Sequence, residues 1–167
     1  MQVNHLRNHY SDYVFMFIKN YINELTTGME IVDIGAGHLR NLKLFQELGF
    51  ENLYALDKDY TDNPLNVDLK KFINHDIEQG IPLSDKQFDI VLCNYVLMFI
   101  EPSKINKVVD DLMRVTRGFL IIETNQQKYT TKNGSGFAMT TNNTTFEEKE
   151  INVNPLTIMN ELKSYLS

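Results

Sequence analysis

Apolar residues first recur along the chain at helical spacing. Tyr13 and Phe17 lie four residues apart within an apolar stripe that continues beyond residue 20. The pattern predicts a helix in the first thirty residues, with Ser11 or Asp12 able to cap its start and Gly28 able to end it. Such a stripe is more typical of core packing than of a ligand surface.

A strand, a glycine turn, a helix and a second strand then follow within about thirty residues. The first strand is predicted at residues 29–34 and runs into Gly35-Ala36-Gly37. A helix begins at His38 and is closed by Gly49, and the second strand covers residues 53–56. This is a βαβ unit, which implies parallel strands.

The alternation continues to about residue 124, with Gly118 taken as the stop of its last helix. We therefore predict an α/β fold, with a three-layer, doubly wound, mostly parallel sheet in a single domain. Residues 1–28 form its N-terminal helix region, residues 29–124 its core, and residues 125–167 a loop and a last helix. The further predicted elements are strands at Phe72–Asp76, Phe88–Cys93 and Phe119–Ile122, a helix at Pro102–Thr116, an exposed loop at Gln126–Asn143 and a last helix from Pro155.

Composition narrows the function classes. The chain has 167 residues, with 16 lysines and arginines against 22 aspartates and glutamates, and one cysteine. The acidic balance disfavours a DNA-binding role, and a single Cys93 excludes an internal disulfide, so the cytoplasm is the expected compartment. No apolar run is long enough for a membrane span, and no metal site is predicted.

Candidate chemistry lies where the predicted strands end. In an open α/β sheet ligands bind beyond the carboxyl ends of the strands, where this chain has Asp33 with the glycine turn, Asp57, Asp76 and Asn94. A turn without Cβ atoms lets backbone approach a ligand, and the following helix start can receive an anion. Asp57 stands twenty residues after Gly37, a spacing that suits a carboxylate binding ribose hydroxyls.

Simpler roles exist for the same residues. The glycine turn can serve packing alone, and Asp57 or Asp76 can cap a turn. A dinucleotide site is a competing ligand class, but Arg40 stands where its third glycine is usual. Asp33 would also oppose a pyrophosphate, whereas it suits a cationic amino-acid group.

The run Ile31-Val32-Asp33-Ile34-Gly35-Ala36-Gly37 resembles the first motif of class I S-adenosylmethionine-dependent methyltransferases. His75-Asp76-Ile77-Glu78 and Gln87–Asn94 resemble that family's middle motifs, in order, and Phe119–Ile122 resembles its fifth strand. The resemblance covers residues 29 to 124 and implies S-adenosylmethionine as the cofactor. It implies no known acceptor.

The resemblance also implies residue roles. The methionine part of the cofactor would lie against Asp33 and the glycine turn, the ribose against the end of the second strand, and the adenine against the end of the third. Asn94 and Tyr95 would face the sulfonium and the acceptor and are the catalytic candidates. The cofactor-binding residues so implied are Asp33, Gly35, Ala36, Gly37, Asp57, Lys58, Asp76, Ile77 and Asn94.

The acceptor is left open by the sequence. Asn94-Tyr95-Val96-Leu97 lacks the two prolines of DNA amino-methyltransferases, and no Pro-Cys nucleophile is present. A small molecule is the leading acceptor class, with protein or RNA behind it. A catalytically silent module that only binds the cofactor or a partner is the alternative. The four histidines, His5, His9, His38 and His75, are candidate bases, although methyl transfer to an amine or thiolate needs none.

One departure from the family concerns the end of the sheet. The chain stops about where the usual C-terminal β6–β7 hairpin would begin, so we expect that hairpin to be missing. An open edge on the fifth strand would invite pairing. We predict either that Phe137–Met139 or Thr145–Val153 covers this edge or that the protein forms a homodimer there.

Overall fold

The computed structural model describes residues 10–123, 137–140 and 145–146, and these build a sheet in the order β3-β2-β1-β4-β5-β6-β7. Strands β1 to β5 are parallel, and β6 and β7 are antiparallel to their neighbours. The predicted doubly wound α/β class is confirmed. The strands are β1 Ile31–Ile34, β2 Leu53–Asp57, β3 Lys71–Asn74, β4 Phe88–Asn94, β5 Thr116–Glu123, β6 Phe137–Thr140 and β7 Thr145–Phe146.

Helices cover both faces of the sheet. Because side chains alternate along a strand, Ile31 of β1 joins the core beneath α1 (Asp12–Tyr21) and α2 (Arg40–Glu47). Its neighbour Val32 joins the opposite core, against α3 (Ile105–Val115). The central strands β1 and β4 are therefore buried on both sides, which explains their largely apolar character.

Helix α1 is confirmed as a core helix that begins after Ser11. The Ser11 hydroxyl accepts hydrogen bonds from the backbone N–H groups of Tyr13 and Val14, so Ser11 is the N-cap. The expected end at Gly28 is wrong, because the α-helix ends at Tyr21 and passes into a 3-10 turn over Ile22–Glu24.

Three further boundaries need correction. Helix α2 begins at Arg40 rather than His38, because Leu39 has a left-handed backbone with φ of 67°. Strand β3 ends at Asn74, so Asp76 lies beyond it, at the start of a 3-10 turn. Gly118 is not a helix stop but lies within β5, where an added Cβ would stand 2.6 Å from the carbonyl oxygen of Asp89 on β4.

The sheet continues past β5 through two short antiparallel strands, β6 and β7. Strand β6 pairs with β5 from Phe119↔Thr140 to Ile122↔Phe137, and β7 pairs with β6. The open N–H and C=O groups of β5 explain why a strand is recruited there, and the predicted covering of this edge by Phe137–Met139 is confirmed. The predicted last helix from Pro155 lies outside the described residues. No helix in the described part combines the length and apolarity needed to cross a membrane.

Candidate functional site

A cleft opens at the carboxyl ends of β1, β2 and β4 and consists of two adjoining cavities. The larger, about 370 Å³, lies over the ends of β2 and β3, and the smaller, about 310 Å³, lies between the glycine turn and β4. Gly35, Tyr95 and Phe99 line both cavities. Every residue that the sequence assigned to the cofactor lines one cavity or the other.

The glycine turn is built by two left-handed residues, Gly35 with φ of 73° and Gly37 with φ of 54°. Their roles differ. An added Cβ on Gly35 would stand 2.3 Å from Cγ2 of Val96, so glycine here serves packing against the loop after β4. A Cβ on Gly37 would meet nothing within 4 Å, so Gly37 leaves open space at the smaller cavity. Only Gly37 therefore keeps room for a ligand.

Asp57 holds the glycine turn in place. Its Oδ2 accepts a hydrogen bond of 2.8 Å from the Gly37 N–H, and its Oδ1 accepts one of 3.0 Å from the Asp59 N–H. Asp57 therefore caps the turn that follows β2 and also binds the glycine turn. Each carboxylate oxygen has two lone pairs, so the fixed carboxylate can still accept hydrogen bonds from a ligand in the larger cavity, which Asp57 and Lys58 line.

Asp76 also caps a turn. Its Oδ1 accepts a hydrogen bond of 3.0 Å from the Glu78 N–H at the start of the 3-10 turn Ile77–Gln79. Asp76 and Ile77 nevertheless line the larger cavity beside His75. Capping and ligand binding are compatible here, because the second carboxylate oxygen receives no hydrogen bond from the described residues.

Asp33 differs from the other acidic residues of the site because its carboxyl group is buried. It is only 3% exposed and lines the smaller cavity, and within residues 10–123 no side chain or N–H is hydrogen-bonded to its carboxyl group. Burial raises its pKa to about 8, while the Arg40 guanidinium opposes this rise and the Asp57 carboxylate adds to it. Asp33 is therefore a buried acid without a hydrogen-bonded cationic partner in the part of the chain that the structure describes.

Two aromatic rings stand at the boundary of the cavities. Tyr95 follows β4 directly with a left-handed φ of 57°, and its N–H donates to the Glu123 carbonyl oxygen at 2.7 Å. Phe99 is 78% exposed at the mouth of the cleft. The sequence predicts Tyr95 but not Phe99 as a site residue, because an exposed ring cannot be distinguished from a core ring by sequence.

Four buried polar residues form a ring of hydrogen bonds next to the smaller cavity. They are Ser11, Asn41, Asn94 and Glu123, which we call the polar ring, and each is at most 8% exposed. The Ser11 N–H donates to Asn41 Oδ1 at 2.8 Å, and Asn41 Nδ2 donates to Asn94 Oδ1 at 3.3 Å. Asn94 Nδ2 donates to Glu123 Oε1 at 2.6 Å, and the Ser11 hydroxyl donates to the same oxygen.

Two members of this ring, Asn41 and Glu123, are not among the site residues predicted from the sequence. Glu123 directly follows the apolar run of β5, so the strand-end rule that singled out Asp33, Asp57 and Asn94 could have found it. Asn41 lies on α2, and no pattern in the sequence indicates its contact with β4.

The remaining candidates are less informative. His38 lines the smaller cavity and His75 the larger one, whereas His5 and His9 lie outside the described residues. Cys93 is fully buried, and this burial raises the pKa of its thiol, as expected for an inert core cysteine.

Comparison with known proteins reveals related domains. A family model described as a methyltransferase domain matches residues 32–122, more than half of the chain. A solved structure of the Burkholderia thailandensis 1,6-didemethyltoxoflavin-N1-methyltransferase, with bound 1,6-didemethyltoxoflavin and S-adenosylhomocysteine, superposes with a TM-score of 0.56 at 16% identity over 80% of this chain. The Synechocystis PCC 6803 magnesium protoporphyrin IX methyltransferase, with bound S-adenosylmethionine, superposes with a TM-score of 0.56 at 17% identity over 72%.

These likenesses concern the fold and cover only part of the other proteins. The matched region makes up 58% of the Burkholderia chain and 61% of the Synechocystis chain. No curated protein matches the sequence.

Proposed function

Because this chain belongs to the class I S-adenosylmethionine-dependent methyltransferase family, we propose that it binds S-adenosylmethionine in the cleft and transfers a methyl group to a small molecule. The observation that carries the proposal is Asp33, a buried carboxyl group that faces the smaller cavity without a hydrogen-bond donor among the described residues. A ligand with a cationic end would pair with this carboxyl group.

The two cavities fit the two ends of this cofactor. Asp33 would bind the ammonium group of the methionine part, with Gly35, Ala36 and Gly37 forming the adjacent wall. In the larger cavity, the preorganised carboxylate of Asp57 would accept from the ribose hydroxyls. Lys58, Asp76 and Ile77 lie where the adenine end would lie.

The protein's contribution to catalysis would be alignment. When bound, the cofactor supplies a methyl group already activated by a sulfonium. Asn94 and Tyr95 line the smaller cavity and would position the reacting groups there. Orientation of this kind can lower a barrier by up to about 7–11 kcal/mol, so a dedicated base is not required for a nucleophilic acceptor.

We infer a small-molecule acceptor from the mouth of the cleft. The exposed ring of Phe99, with Tyr95 beside it, offers apolar area for contact with an uncharged ring or chain. The Burkholderia and Synechocystis proteins of similar fold, which act on 1,6-didemethyltoxoflavin and magnesium protoporphyrin IX, support this class. The acidic balance of the chain supports the exclusion of DNA.

Calorimetry tests the cofactor. S-adenosylmethionine and S-adenosylhomocysteine should bind and NAD should not. Asp57→Ala should weaken binding by about tenfold to a hundredfold, because ribose hydroxyls and the Gly37 N–H lose their acceptor. Asp110→Ala, at an exposed position on α3, is the matched control and should bind as the wild type does. Equal affinity in both variants would remove Asp57 from the site.

A methyl-transfer screen tests the acceptor. Wild-type protein with a labelled methyl donor should label a small-molecule fraction rather than protein, RNA or DNA fractions. Once an acceptor is found, Phe99→Ala should raise its KM by a larger factor than it raises the cofactor Kd. Cofactor binding without transfer to any fraction would identify a silent binding module instead.

We propose one domain spanning residues 1–167 and a cytoplasmic location, which a single buried cysteine supports. The edge of β5 is occupied by β6, so a homodimer would need another surface.

A further inference from the structure

The direction of every hydrogen bond in the polar ring is fixed by chemistry. The Ser11 backbone N–H can only donate, and at the other end Oε1 of Glu123 accepts from both Asn94 Nδ2 and the Ser11 hydroxyl. Asn41 therefore points its oxygen at the Ser11 N–H and its NH₂ group at Asn94. Asn94 in turn points its oxygen at Asn41 and its NH₂ group at Glu123. The orientation of both amides is therefore set by the ring itself.

The orientation matters at Asn94, because this residue lines the smaller cavity. Its Nδ2 is held by Glu123 at 2.6 Å, whereas its Oδ1 receives only the 3.3 Å bond from Asn41 among the described residues. An amide oxygen has two lone pairs, so Asn94 retains acceptor capacity for a ligand. A reversed amide would offer a donor instead.

We propose that Glu123 is a positioning residue that fixes the Asn94 amide with its oxygen available to the ligand, so that the smaller cavity favours a cationic sulfonium over the neutral thioether left after methyl transfer. This inference rests on the proposed function. A carbonyl oxygen carries partial negative charge, so it stabilises a nearby cation electrostatically and stabilises a neutral sulfur much less.

Glu123→Gln tests the proposal. The glutamine is nearly isosteric, but it can donate as well as accept, so only the 3.3 Å hydrogen bond from Asn41 still fixes the orientation of the Asn94 amide. We measure by calorimetry the ratio of the Kd of S-adenosylhomocysteine to that of S-adenosylmethionine. This ratio should fall by roughly fivefold in Glu123→Gln, the scale of one hydrogen bond, and stay unchanged in the exposed control Glu51→Gln. A purely structural role would weaken both ligands equally, so an unchanged ratio overturns the proposal.

A second measurement needs no ligand and no variant. In wild-type protein labelled with ¹⁵N-asparagine, the side-chain NH₂ protons of Asn94, assigned through its own Cβ protons, should exchange slowly with solvent. Exchange as fast as that of an exposed asparagine would overturn the proposal even if Glu123→Gln does not fold. Failure of the wild type to bind either ligand would refute the proposed function instead, and the exchange measurement would still report on the ring.

Discussion

Replacing Asp33 with asparagine should change how the stability of the protein depends on pH. In the folded state burial raises the pKa of Asp33 to about 8, whereas in the unfolded chain an aspartate titrates near its ordinary value of about 4. Between these two values the folded protein holds a proton that the unfolded chain has released. The free energy of unfolding therefore falls as pH rises through this window.

The size of the effect follows from the width of the window. Each pH unit within it removes about 1.4 kcal/mol from the free energy of unfolding. Between about pH 5 and about pH 7.5 the wild type should lose about 3 kcal/mol through Asp33 alone. An asparagine side chain at this position does not titrate, so the stability of Asp33→Asn relative to the wild type should rise by the same amount.

Urea unfolding of both proteins across this pH range provides the measurement. Comparing the change with pH, rather than stability at one pH, removes the constant cost of burying an amide and the titration of every other group. Asp110→Asn, at an exposed position, is the matched control and should follow the wild type. If the curves for the wild type and Asp33→Asn run parallel, Asp33 is not a buried neutral acid in the folded protein.

Binding of S-adenosylmethionine should release a proton near neutral pH, because its ammonium group favours the ionised form of Asp33. Calorimetry in phosphate and in Tris should therefore give different apparent binding enthalpies. Equal enthalpies would contradict a pairing of the ammonium group with Asp33. Gly118→Ala should destabilise the protein by about 2 kcal/mol, since the new Cβ meets the Asp89 carbonyl oxygen, whereas Gly28→Ala, in open space, should cost little in thermal or urea unfolding. Ser11→Ala should lower the free energy of unfolding by about 2 kcal/mol, because α1 loses its cap and Glu123 a donor; an unchanged urea midpoint would be evidence against the polar ring.

The parallel core of this fold could be predicted because its signals are local. Continuous apolar strands, helical stripes and the turn at Gly35–Gly37 each occupy a few neighbouring residues. The strand-end rule then gathered Asp33, Asp57 and Asn94 at one edge of the sheet, and the structure brings all three to the cleft. The predictions that the structure corrects depend on contacts between segments that are distant in the sequence.

Gly118 illustrates such a failure. Its position after a helical stripe predicts a helix stop. The structure shows instead that glycine is required here because Asp89 of β4 approaches the backbone closely. The Gly35 turn is similar, because Val96, about sixty residues away, determines that its missing Cβ serves packing. The polar ring joins α1, α2, β4 and β5, so its members become visible only when the chain is folded.

Tyr95 combines a strained backbone with a place at the centre of the cleft. A tyrosine held at a φ of 57° costs on the order of 1 kcal/mol that a glycine would not. Glycine at this position would relieve that strain and give up the ring that both cavities share. A search for thermostable variants should therefore select against Tyr95, and selection for turnover should restore it.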